Sequence, residues 1–135
     1  MKGAIRVNRE ARERLFVRLQ DLLTGHRDVT FAFVFGSSLD HDESRDIDIG
    51  IWTGPAASPR LDVELAAAAS AALGVPVDVR RVNDAPTAFM FHVLRGRPLV
   101  VRDEDLLATL MERTARDYHD RAPLVHRATR DAFAR

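Results

Sequence analysis

Residues 31–52 read FAFVFGSSLDHDESRDIDIGIW, an apolar run, a Gly-Ser-Ser turn, a polar spacer and an Asp-Ile-Asp pair set into a second apolar run. Residues two apart on a strand project to the same face, so if Ile47, Ile49 and Ile51 face a core, Asp46 and Asp48 stand side by side on the opposite face. At roughly 4 Å two carboxylates repel by about 4 kcal/mol at an effective dielectric near 20, so a fold that aligns them needs a metal, a proton or a cationic partner. The stretch therefore has the makings of a metal-and-phosphate site, and its strand–turn–strand form fixes the fold around it.

Working outward, Val29 to Phe35 is almost uninterrupted apolar and rich in β-branched and aromatic residues, which predicts a central strand buried on both faces. Before it, Ala11, Leu15, Phe16, Leu19, Leu22 and Leu23 recur at spacings of three and four, predicting an amphipathic helix capped by Asn8 and ended by Gly25. After it come a strand over 46–52, an Ala-rich helix over 61–73 stopped by Gly74, and a strand over 75–82 that carries Asp78. A short helix is expected from Pro86 to Leu94 and a short strand over 99–101. From Asp103, a capping residue, an amphipathic helical segment runs to the C-terminus, with Pro123 breaking or kinking it. The stripe Leu106, Leu107, Leu110, Met111 and Ala115 is expected to pack against the sheet.

A length of 135 residues with 46% apolar content fits one domain, residues 1–135. Acidic and basic residues balance at 20 each, so bulk charge gives no reason to expect direct nucleic-acid binding. Lys2 is the only lysine, a bias toward arginine that we ascribe to genome composition. Without cysteine there is no disulfide, thiolate ligand or thiol nucleophile, so any metal must be held by oxygen or imidazole. No stretch approaches the roughly 20 apolar residues of a membrane helix, nor does the start read as a signal peptide, and the expected location is cytoplasmic.

Alone, Gly36, Ser37 and Ser38 read as an ordinary tight turn, and Asp46 and Asp48 as the exposed side of a half-buried strand. Asp is depleted in strands, however, and Asp78 sits between Val77 and Val79 in another. Three strand aspartates and a Gly-Ser turn can converge on one face of one sheet. The loop residues Asp40, His41, Asp42 and Glu43 read as a solvated spacer, and His92 as a packed or surface residue of an apolar helix.

With Gly36 and Ser37, then Asp46 and Asp48, then Asp78, the chain resembles the DNA polymerase beta-like nucleotidyltransferase superfamily. The downstream text VDVRRVNDAPTAFMFHVLRGRPLVVRDEDLLATLMERTARDYHD is similar to its minimal nucleotidyltransferase (MNT) branch, the antitoxins of HEPN/MNT toxin–antitoxin systems. The resemblance implies an α/β (α+β) fold, a mixed sheet packed by helices, with a C-terminal helical segment from about residue 103. It further implies transfer of AMP from ATP, with two Mg²⁺ ions, to a tyrosine hydroxyl of a HEPN-domain RNase toxin. In that reading Asp46, Asp48 and Asp78 are the metal-binding and catalytic residues, and Gly36, Ser37 and Ser38 grip the nucleotide phosphates. A binding-only antitoxin and transfer to a small molecule are the alternatives. Eight residues, Ser38 to Arg45, separate Ser37 from Asp46, a shorter spacer than the family's usual one, though loops tolerate such changes. The segment from Tyr118 to Arg135, charged and interrupted by Pro123, is the expected toxin-contacting part.

Overall fold

The structure, a computed structural model, describes residues 9–36 and 46–133, with side chains as far as Asp120. Among them the elements run α1 (Arg9–Thr24), β1 (Val29–Phe35), β2 (Ile47–Thr53), α2 (Leu61–Leu73), β3 (Val77–Arg81), α3 (Thr87–Leu94), β4 (Arg97–Val101) and α4 (Glu104–Phe133). The strands form one mixed sheet in the order β3-β2-β1-β4, with β1 antiparallel to β2 and β4, and β2 parallel to β3. The expected mixed sheet packed by helices is what is found, and β1, buried on both faces, holds an inner place. No described helix is long and apolar enough to cross a membrane.

Alternation along the strands divides the core in two. On one face Ala32, Val34, Ile47, Ile49, Ile51, Val77 and Val79 pack against α1 and α2. Helix α1 contributes Phe16, Leu19 and Leu23, and α2 a four-residue repeat of Leu61, Leu65, Ala69 and Leu73. Ser70 ties α2 to the start of β3, its hydroxyl accepting the Val77 N–H at 2.9 Å and donating to the Val77 carbonyl at 3.3 Å. The other face presents Phe31, Phe33 and Phe35 to Met90, Val93 and Leu94 of α3 and Leu107 of α4, with Phe31 stacked on Trp52 at 5.7 Å.

Asp103 caps α4 as expected, its Oδ1 accepting the Leu106 N–H at 2.9 Å. Two expectations for this helix change. It continues through Pro123 without a break, because one missing N–H removes a single ladder bond while the turns on both sides remain. Its apolar stripe also rests mainly on α3 rather than on the sheet: Leu107 is buried, Leu110 partly so, Met111 is 41% exposed, and Tyr118 stacks on Phe91 at 4.0 Å. Helix α3 lies between α4 and the strands and keeps most of α4 off them.

That intermediate helix sits very close to the sheet. A Cβ placed on Gly50 of β2 would stand 2.6 Å from Val93 Cγ1 and 3.3 Å from Val82 Cγ1, so only glycine lets α3 settle there. Gly50→Ala is expected to lower stability by about 1–3 kcal/mol through overpacking, read as a lower urea midpoint with an unchanged m-value.

Candidate active site

The carboxylates gather where β1 ends and β2 begins. Phe35, the last residue of β1, pairs with Asp48, and Asp48 pairs in turn with Asp78 of parallel β3. Because Ile47, Ile49, Val77 and Val79 turn to the α1/α2 core, Asp48 and Asp78 fall on the α3 face, side by side on neighbouring strands. Asp46 lies one residue ahead of β2 and is exposed; Asp48 is partly buried and Asp78 exposed. Gly36 follows Phe35 with φ 83°, and a Cβ there would stand 2.9 Å from Asp48 Oδ2. Glycine is needed twice over, for the left-handed backbone and for the room that lets the carboxylate lie against the strand end. Ser37 and Ser38 lie outside the described residues, as do Asp40, His41, Asp42 and Glu43.

Burial raises the pKa of Asp48 first, and the nearby charges of Asp78 and then Asp46 push it further in the same direction. Arg80 and His92 oppose them. Both of these residues adjoin the site; Arg80 was not singled out from the sequence, and His92 was read there only as a packed or surface residue. Arg80, two residues beyond Asp78 and so on the same face of β3, donates from Nε to Asp78 Oδ2 at 3.3 Å, and its guanidinium lies 5.9 Å from the centre of the Phe89 ring. Phe89 and His92, three apart on α3, each meet the Phe35 ring edge-on at 5.5 Å. Period two would have picked Arg80 from the arginines; His92 needed the rotation of α3, which only packing supplies.

The arrangement is thus an acidic, oxygen-only cluster with a conformationally special glycine beside it and an aromatic and cationic shelf above. Among the described residues no three acidic or imidazole side chains are drawn together closely enough, as they stand, to hold a metal ion. Asp78 is turned onto Arg80 instead. The donor set nevertheless suits a hard divalent cation, and the repulsion felt by Asp48 is the kind that such a cation relieves. Two shallow hollows of about 170 and 190 Å³ flank α4, and none of the three aspartates lines either.

A raised Asp48 means that the folded metal-free protein holds a proton that the unfolded chain releases. Stability therefore falls as pH rises from the ordinary carboxylate range through the higher folded value, and stays lower above it. Asp48→Asn removes the penalty. With chelator present, the variant is expected to melt above wild type at pH 7, and the difference to disappear below about pH 3, where Asp48 is protonated in both states.

The model of the polymerase beta nucleotidyltransferase family matches residues 18–105, a span that holds the three aspartates, Gly36, Arg80 and His92. No curated protein matches the chain. Among solved structures, a Shewanella oneidensis MNT antitoxin complex with a tri-AMPylated HEPN toxin is 19% identical, with a TM-score of 0.63 over 87% of this chain and 98% of that one. A MntA–HepT toxin–antitoxin structure is 18% identical, with a TM-score of 0.61 over 90% and 99%. A toxin–antitoxin structure with AMP-PNP is 20% identical, with a TM-score of 0.59 over 87% and 98%. These likenesses establish a shared fold over nearly the whole chain. Since the family match also covers well over half the sequence, the chain belongs to the polymerase beta nucleotidyltransferase family.

Proposed function

We propose that this protein is an MNT-type antitoxin that transfers AMP from ATP to a tyrosine hydroxyl of a HEPN-domain toxin and so neutralises it. The observation that carries the chemistry is the registration of Asp48 against Phe35 on one side and Asp78 on the other, with Gly36 against its carboxylate and Asp46 two residues away. The likeness to an MNT antitoxin bound to a tri-AMPylated HEPN toxin supports AMP as the group and the toxin as the acceptor, and the likeness to a structure with AMP-PNP supports an adenine nucleotide.

In this reading Asp46, Asp48 and Asp78 hold divalent cations, two Mg²⁺ ions in the full site. Bound Mg²⁺ would polarise the α-phosphate and the leaving group and favour the ionised acceptor hydroxyl. Asp78, exposed at the edge of the cluster, takes the acceptor proton. A bond forms between the acceptor oxygen and the α-phosphorus, the α–β phosphoanhydride breaks, and pyrophosphate leaves. Gly36 leaves the backbone bare where phosphate must approach, and Ser37 and Ser38 contribute hydroxyls and amides to the β- and γ-phosphates. The setting is the cytoplasm.

Toxin contact falls to residues 118–135. Helix α4 is 30 residues long, about 45 Å, while α3, on which it rests, has 8 residues and spans about 12 Å, so α3 cannot cover it to its end.

Incubation of the protein and its toxin with ATP labelled at the α-phosphate tests the chemistry. Label is expected on the toxin with wild type and to fall at least about 100-fold with Asp46→Asn or Asp48→Asn. Neutralisation without label, equal in wild type and both variants, would replace catalysis by simple occlusion. Removal of residues 124–135 is expected to weaken toxin binding at least about tenfold, measured by calorimetry; unchanged affinity would move the contact elsewhere.

A further inference from the structure

The role of Arg80 goes beyond that reading while resting on it. Its contact with Asp78 is a single hydrogen bond of 3.3 Å between side chains that are 62% and 55% exposed, weak enough to exchange readily. The guanidinium's remaining nitrogens find no polar partner among the described residues, and the group is held from beneath by the Phe89 ring rather than by the domain's interior. Arg81, the next residue, falls on the alternate face of β3 and donates to Asn83 Oδ1 at 3.4 Å.

A cluster of carboxylates without metal needs a compensating charge, and a cluster loaded with divalent cations repels the same charge. A guanidinium released beside a triphosphate has a planar fork that matches phosphate oxygens. We propose that Arg80 is an exchangeable counter-ion of this site: it sits on Asp78 in the metal-free protein and transfers its donors to the phosphates of the nucleotide once cations occupy the carboxylates. It would thus compete with metal alone and cooperate with metal plus nucleotide, favouring the two arriving together.

The test uses the full chain and two probes, Mn²⁺ without nucleotide followed by electron paramagnetic resonance of the free ion, and AMP-PNP with Mg²⁺ followed by calorimetry. Arg80→Ala is expected to bind Mn²⁺ about three- to tenfold more tightly than wild type and AMP-PNP about tenfold more weakly. Arg80→Lys, which keeps the charge and loses the fork, should fall between wild type and Arg80→Ala on both measures, and Arg81→Ala should match wild type. Mn²⁺ affinity that is unchanged or weaker in Arg80→Ala, or unaltered AMP-PNP affinity, overturns the assignment. Asp48→Asn separates this failure from failure of the metal site itself: if it binds Mn²⁺ like wild type, the carboxylates are not the ligands. If it loses Mn²⁺ while Arg80→Ala shows no tightening, the metal site stands and only the role of Arg80 falls.

Discussion

In β2, Ile49 lies between Val34 of β1 and Val79 of β3, and that three-strand registration places everything else. A slip of one residue would turn Asp48 into the core against α1 and α2 and bring an isoleucine out beside Gly36. The hydrophobic pattern forbids it, since Ile47, Ile49 and Ile51 are all at most 4% exposed and have no other face on which to be buried. Position of the carboxylates is thus enforced by the residues between them. The chemistry of the site and the stability of the sheet are two consequences of one alternation.

The same alternation explains how a small domain tolerates the charge. The aspartates sit where β1 ends and β2 begins, at the rim of the α3 face, where Phe35, Phe89 and His92 form a wall on one side only. Asp48 is pressed by burial and by its two neighbours; Asp46 and Asp78 keep contact with water. Each unfavourable charge is met by an open side or by Arg80, so Ile47, Ile49 and Ile51 on the opposite face stay among apolar neighbours. The other end of that face, around Trp52 and Phe31, carries no such demand and is filled with aromatic packing.

Much of this is legible in the sequence itself. Val29–Phe35 and Leu61–Leu73 stand where the apolar run and the alanine-rich segment put them, because both are strong local signals bounded by turns. That Asp48 and Asp78 would turn away from the isoleucines and valines of their own strands was readable from period two. What escaped was relational. The pairing of Asp78 with Arg80 follows the same period but was hidden among many arginines, and the approach of His92 to Phe35 depends on how α3 rotates on the sheet. Of the break or kink expected at Pro123, the break is absent for a similar reason: the residue has a known local cost, whereas continuation of the helix is decided by the turns around it.

Gly50 gives the fold a depth stop. Val93 of α3 rests against the bare backbone at that point, with Met90 one turn before it and Phe89 and His92 alongside. The height of the helix above the strands is therefore set in the middle of the sheet, two residues along β2 from Asp48. Because α3 is a single short helix, that height also sets how far Phe89 and His92 overhang the aspartates. A position that touches none of the aspartates thereby sets the clearance between them and the rings above, through nothing more than the side chain it lacks.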